Sequence, residues 1–278
     1  MKTSTFNPAQ LPAPLRLGLF ILALLVLWLP WALFAYGAFQ PDTNLTTIVA
    51  MGGLFLLFLA LLRWWTRRFY GQSQAFAYYG LVASRRNGWD TLQGLALGFA
   101  MTAGLFTLEA LFGWVTFQSP VLAWGRLIWE GSLTGLGVAF AEELFFRGWF
   151  LTELQRDYTL RVALGGNALF FAILHFLKPL GEILRTFPQF PALVLLGLIL
   201  GLAKNRHGHR LGYCIGLHGG LVWAYYIVNV GQLVQYSDNI FPWLTGVDGN
   251  PLAGVMGLMG LCILLFIVQK QQTEAAVD

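Results

Sequence analysis

The chain has 278 residues, of which 57% are hydrophobic and only 11% are charged. Its mean hydropathy is +0.63. These values exclude an ordinary soluble domain and are typical of a membrane protein with several spans. The formal net charge of +4 does not indicate a nucleic acid partner, because the basic residues are distributed as membrane topology predicts.

Apolar segments long enough to cross a bilayer recur along most of the chain. About 20 helical residues cross a hydrocarbon core of about 30 Å. The segments are continuous and lack the alternation of barrel strands, which favours helices. We therefore predict an all-α membrane bundle of eight transmembrane helices, forming one integral membrane domain over residues 1–278. The predicted spans are residues 15–39, 46–62, 92–117, 129–152, 160–176, 190–203, 211–230 and 252–268.

The basic residues indicate the orientation of these spans. If the N-terminus is cytoplasmic, all but four of the 17 lysines and arginines fall on the cytoplasmic side, among them those of a basic loop at residues 204–210. This asymmetry predicts that both termini are cytoplasmic. It predicts a multi-pass protein in contact with membrane lipids. We favour a plasma membrane of the bacterial type, although an organellar membrane would fit the same charges.

Cysteine usage gives no sign of a disulfide framework. Cys214 and Cys262 both fall inside predicted membrane helices. We expect each to be a buried structural thiol.

Three ionisable side chains lie within six residues of the predicted span 129–152: Glu142, Glu143 and Arg147. One charged side chain at mid-membrane costs about 2.5 to 3.5 kcal/mol, so this group needs a compensating reason. Glu143 and Arg147 are four residues apart and share a helix face, which predicts an ion pair. Glu142 points about 100° away and is left free to act chemically.

Two histidines also fall where lipid should exclude polar groups. His175 ends one predicted span, and His218 lies within another. At about 1.5 Å of rise per residue, both reach depths compatible with a site shared with Glu142. We predict that Glu142 and His175 activate a water molecule as a nucleophile. His218 would then donate to the developing oxyanion.

These residues resemble the CAAX prenyl protease and bacteriocin-processing family of intramembrane glutamic endopeptidases, also called the abortive-infection family. The motif Glu-Glu-x-x-x-Arg matches residues 142–147, and Phe-x-x-x-His matches Phe171 and His175. A third motif matches at His218, but Val222 stands where the eukaryotic prenyl proteases have asparagine. The resemblance covers residues 90–230, and the order of the motifs makes it more specific than each motif alone.

The resemblance implies an eight-helix bundle and a glutamate-dependent endopeptidase that needs no cofactor. Its substrate would be a peptide or protein, either prenylated at a CAAX-type terminus or otherwise associated with the membrane. Val222 removes one oxyanion donor of the family mechanism. Loss of one such donor costs about 100- to 1,000-fold in rate in a soluble protease.

Other function classes fit part of the same pattern. Glu142, Glu143, His175 and His218 could together hold zinc in a metalloprotease, although Arg147 is badly placed beside a cation. Buried carboxylates also occur in transporters, and a catalytically weak or inactive scaffold or immunity protein would explain Val222. Glu109 lies outside the motifs, and we expect it to bind a polar group of the bundle.

Overall fold

The computed structural model describes residues 7–271, and these are largely helical. The α-helices are α1 (Ala13–Phe39), α2 (Thr43–Tyr70), α3 (Ala75–Tyr78), α4 (Arg85–Leu111), α5 (Trp124–Glu143), α6 (Leu151–Gln155), α7 (Leu160–Leu174), α8 (Leu180–Thr186), α9 (Phe190–Arg206), α10 (Gly212–Val230), α11 (Pro242–Thr245) and α12 (Val255–Lys270). A π-helical turn, Leu144–Phe150, joins α5 to α6. Two short strands, β1 (Val115–Phe117) and β2 (Val234–Tyr236), form an antiparallel pair.

Each of the eight predicted apolar segments contains a helix. Four helices are long and apolar enough to cross a membrane, and two further apolar helices, α7 and α12, are shorter. The protein is therefore a helical integral membrane protein. The count of eight crossings and the cytoplasmic position of both termini stay predictions. The four long helical segments are Ala13–Phe39, Thr43–Tyr70, Arg85–Leu111 and Leu180–Arg206.

The third predicted span was too long at its C-terminal end. Helix α4 stops at Leu111, and Gly113 follows with a φ of 72°, a left-handed conformation that glycine adopts without strain. The next residues form β1, which pairs with β2 more than 100 residues later in the chain. No local pattern predicts such a distant partner, which is why this strand pair was missed.

The chain divides into two compact units, residues 1–78 and 79–278. In the first unit, α1 and α2 pack together through tryptophans whose indole N–H groups donate across the helix pair. Trp28 donates to the Ala50 carbonyl oxygen and Trp31 to that of Val49, both at 2.9 Å. Gly53 leaves room for the Trp31 ring, since a Cβ atom there would overlap the indole. The prediction of one membrane domain stays a prediction.

In the second unit, α10 packs most extensively against α4 and α5. Glycines allow the backbones of α4 and α10 to touch. A Cβ atom at Gly216 would lie 2.0 Å from the Thr91 carbonyl oxygen, and one at Gly98 would lie 2.2 Å from that of Leu217. Such close approach is typical of membrane helices with small residues four apart. It fixes the position of α10, which carries His218.

Buried polar contacts between α4 and the residues at the start of α10, here called the polar clasp, hold the two helices together. The Arg210 guanidinium donates to one Asp90 carboxylate oxygen through two nitrogens, at 2.8 and 2.9 Å. The backbone N–H of Gly212 donates to the Asn87 side chain at 2.8 Å. Asp90 is fully buried, so the paired guanidinium offsets the cost of burying its charge. The clasp sets the register of α10 along α4.

Both cysteines are free thiols, as expected. Cys214 is buried, and its thiol donates to the Leu200 carbonyl oxygen at 3.2 Å. Cys262 lies on the exposed face of α12, which corrects the expectation that it is buried.

Candidate active site

A cavity of about 300 Å³ lies within the second unit. Its walls are mostly apolar and come from α4, α5, α7, α9, α10 and α12. The structure brings three of the sequence-predicted residues to this cavity: Glu142, His175 and His218 all line it. A deep apolar cavity with a few convergent polar groups is the usual form of a binding or catalytic site.

Glu142 lies in the last turn of α5 and presents its carboxylate to the cavity. Its Oε2 atom is buried and has no hydrogen-bond partner among the described residues. An ionisable group without a protein partner in an apolar cavity is more typical of function than of structure. Glu142 is thus available to a water molecule or a substrate.

Glu143 is fully buried and does not line the cavity. Its Oε1 atom accepts from the Arg147 guanidinium at 2.9 Å, so the predicted ion pair is present. The same oxygen lies 2.8 Å from Nδ1 of His218. Sequence analysis did not predict this second contact, because it joins residues 75 positions apart. Glu143 therefore holds both a cation and one of the cavity histidines.

His175 lies at a helix end and is exposed within the second unit. The predicted span continued through residue 176, whereas α7 ends at Leu174 and His175 is its C-cap. Its Nδ1 atom lies 2.8 Å from the Phe171 carbonyl oxygen. A carbonyl can only accept, so Nδ1 carries the proton and donates. In the neutral ring, Nε2 then keeps its lone pair and can accept a proton.

Phe171 is almost fully buried and joins the other motif residues. Its ring centroid lies 4.5 Å from that of His175 and 6.4 Å from that of His218. The Arg147 guanidinium carbon lies 4.4 Å from the same centroid, in cation–π contact. The ring therefore orients a histidine and a cation at once, which gives a physical reason for its place in the motif.

Val222 lies one helical turn after His218 and lines the cavity. As the departure from the family motif implies, it offers no hydrogen-bond donor. Tyr225 on the same helix and Asn250 from the loop before α12 also line the cavity. Asn250 accepts from the Leu252 backbone N–H through Oδ1, which leaves its amide nitrogen as a donor. Sequence analysis missed both residues, since neither lies in a motif.

Two further polar residues contact the motif region from other helices. Asn167 of α7 donates to the Phe146 carbonyl oxygen at 2.8 Å, and Lys204 of α9 donates to that of Arg147 at 2.7 Å. Lys204 was assigned to a cytoplasmic basic loop, but α9 continues to Arg206 and buries it. For Asn167, its position inside a predicted apolar span was a usable signal. For Lys204, no sequence signal indicated burial.

Glu109, near the end of α4, has no exposed surface, and both of its carboxylate oxygens lack a hydrogen-bond partner among the described residues. The expectation that it binds a polar group of the bundle was wrong. Burial raises the pKa of the Tyr236 hydroxyl well above its usual value, and the nearby Glu109 and Tyr225 contribute to the shift. The Tyr236 hydroxyl is also unpartnered.

Replacing Glu109 with leucine is expected to raise thermal stability, because it removes an uncompensated buried carboxylate. Each kcal/mol gained would raise the unfolding midpoint by about 2–4 °C. Thermal unfolding in detergent checks this. Glu130→Leu is the matched control, since Glu130 is partly exposed and pairs with Arg126. A lower midpoint for Glu109→Leu than for wild type would contradict the expectation.

The described residues contain no group of three or more His, Cys, Asp or Glu side chains placed to hold a metal ion. Glu143 and His218 are adjacent, but the Arg147 guanidinium contacts the same carboxylate oxygen. A cation bound there would face like-charge repulsion. The zinc set considered from the sequence therefore does not assemble around Glu143.

One comparison with known proteins places these motifs in a family. A family model described as Type II CAAX prenyl endopeptidase Rce1-like matches residues 123–224. Over this segment the chain is similar to that family of membrane proteases. No curated protein and no solved structure matches the chain.

The segment that matches the CAAX prenyl protease family contains all seven motif positions and lies inside the predicted core, residues 90–230. The family is a protease family, so a peptide or protein is the class of substrate that it implies. Helices α1 to α4 precede the match. The cavity nevertheless uses α4, because Met101, Thr102 and Leu105 form part of its wall.

Proposed function

We propose that this protein is a member of the CAAX prenyl protease family and acts as an intramembrane, glutamate-dependent endopeptidase. One observation carries the proposal. Glu142 has an unpartnered carboxylate oxygen and shares an apolar cavity with His175 and His218. Its neighbour Glu143 is occupied by Arg147 and His218. The two carboxylates thus have different environments, as expected where one takes part in the reaction and the other has a structural role.

In the proposed mechanism, a water molecule binds between the Glu142 carboxylate and Nε2 of His175. Glu142 takes a proton from this water as the oxygen attacks the carbonyl carbon of the scissile peptide bond. A tetrahedral intermediate forms, and its oxygen becomes negatively charged. The proton held by Glu142 then passes to the leaving nitrogen, and the carbon–nitrogen bond breaks.

His218 is proposed to stabilise the negative oxygen of the intermediate. Its Nδ1 atom faces Glu143, so Nε2 is the nitrogen left to contact a substrate. In the doubly protonated ring both nitrogens donate, one to Glu143 and one to the oxyanion. Val222 supplies no second donor. The Tyr225 hydroxyl and the Asn250 amide are two neutral donors in the cavity wall that fit this role, and Thr102 and Gln189 also line the cavity.

The apolar walls suit a substrate that is itself apolar, either a prenylated CAAX-type peptide or another membrane-associated segment. Incubation of the detergent-purified protein with matched prenylated and unmodified peptides, with and without a chelator, tests the proposal. We expect cleavage that is unaffected by the chelator. Chelator-sensitive cleavage would instead indicate a metal-dependent protease. No cleavage by folded protein would favour a catalytically inactive scaffold or immunity protein of the same fold.

A further inference from the structure

The chain changes helical geometry immediately after the glutamate pair. Residues Leu144–Phe150 form a π-helical turn, and the Leu151 N–H bonds to the Phe146 carbonyl oxygen, five residues earlier. A π-helical turn holds more residues than an α-helical one, and such turns are frequent at functional sites. Arg147 lies in the middle of this turn. Its position relative to the neighbouring helices α7 and α9 therefore depends on whether the π geometry is maintained.

Two side chains from other helices bind consecutive carbonyls of the turn. Asn167 donates to the Phe146 carbonyl oxygen at 2.8 Å, and the Lys204 ammonium donates to that of Arg147 at 2.7 Å. Lys204 also donates to the Thr152 hydroxyl at 2.7 Å. These bonds support backbone groups displaced from the regular α-helical pattern. The turn is thus braced from both α7 and α9.

The arrangement of the candidate active site depends on this turn. The Arg147 guanidinium contacts Glu143 at 2.9 Å and the Phe171 ring at 4.4 Å. It also donates to the Gly197 carbonyl oxygen at 3.4 Å. Glu143 in turn holds His218 at 2.8 Å. A return to α-helical geometry would rotate the residues of the turn by up to about 100°. Arg147 could still reach Glu143, four residues earlier, but it would lose its contacts with Phe171 and Gly197 on the neighbouring helices.

Stability alone gives a poor reason for a lysine at this position. Lys204 has an exposed fraction of 2%, and within the described part of the chain it makes no ion pair. Its hydrogen bonds are to a carbonyl and a hydroxyl, both uncharged. A buried ammonium without a carboxylate partner is costly, and an apolar side chain of similar size would avoid that cost.

We propose that Lys204 is a positioning residue of the active site, which acts by holding the π-helical turn in the geometry that lets Arg147 contact Glu143, Phe171 and Gly197 at the same time. The inference rests on the proposed function for its catalytic consequence. Lys204 does not contact the substrate; it acts through Arg147, Glu143 and His218. It lies outside all three family motifs.

The test compares Lys204→Met and Lys204→Gln with wild type. The methionine variant is expected to unfold at the same temperature as wild type or higher, yet to lose about 100-fold in kcat with KM within twofold. A misplacement of about 1 Å can cost this much. The glutamine variant keeps a donor without the charge and should recover most of the lost kcat. Lys270→Met is the control, since Lys270 ends α12, is exposed, and places its ammonium over the Phe266 ring.

A methionine variant with wild-type kcat would overturn the inference. If the methionine variant does not fold, the glutamine variant decides, because a folded glutamine variant with low kcat would also overturn it. Hydrogen exchange separates this inference from the proposed function. Amides of residues 144–151 should exchange faster in the methionine variant than in wild type, even if wild type cleaves no peptide. Unchanged exchange at these amides would refute the proposal that Lys204 holds the π-helical turn in place.

Discussion

Glu142→Gln is expected to abolish peptide cleavage while the protein stays folded. The substitution keeps the size of the side chain but removes the carboxylate that would take the proton from water. General acid–base catalysis contributes about 100- to 10,000-fold to enzymatic rates. In the proposed mechanism Glu142 both takes the proton from water and gives it to the leaving nitrogen, so cleavage should fall by at least about 1,000-fold. The measurement is peptide cleavage by detergent-purified variants, with thermal unfolding measured on the same preparations.

Two variants make this result specific to Glu142. Glu130→Gln is the matched control, because Glu130 lies in the same helix α5, is partly exposed and pairs with Arg126 and the Tyr226 hydroxyl. It should keep wild-type cleavage. His175→Ala should lose activity together with Glu142→Gln, since it removes the second group proposed to bind the water. If Glu142→Gln cleaved at the wild-type rate, the glutamate-dependent mechanism would be wrong.

Gly216→Leu is expected to prevent the second unit from folding. A Cβ atom at this position would lie 2.0 Å from the Thr91 carbonyl oxygen and 2.8 Å from the Leu95 nitrogen. Both are backbone atoms of α4, so no side-chain rotation can relieve the overlap. Overpacking in a core costs about 1–3 kcal/mol even where side chains can shift. Forced separation of α4 and α10 should therefore cost more than about 3 kcal/mol.

The control for this substitution is Gly104→Leu on α4. Gly104 is exposed, and a Cβ atom there would have no atom within 4 Å outside its own helix. The same change of residue type should therefore leave the unfolding temperature close to that of wild type. Yield of monodisperse protein and the thermal midpoint are the measurements. A Gly216→Leu variant as stable as Gly104→Leu would show that the close contact of α4 and α10 is not required.

Much of the fold followed from local properties of the sequence. Each predicted apolar segment contains a helix, because a run of apolar residues in a membrane must satisfy its own backbone hydrogen bonds. The ion pair of Glu143 and Arg147 was predicted from a spacing of four residues. Helix ends were less predictable. The end of α4 depends on Gly113 and on β1, whose partner strand lies elsewhere in the chain.

The sequence by itself determined the membrane setting, the helical class and the residues able to carry chemistry, because composition and short spacings act locally. Only the tertiary structure decided how those residues are arranged. His218 contacts Glu143, 75 residues earlier in the chain. Lys204 is buried against the Arg147 carbonyl, 57 residues earlier. Such contacts arise from the packing of α10 against α5 and of α9 against the π-helical turn, which no local pattern encodes.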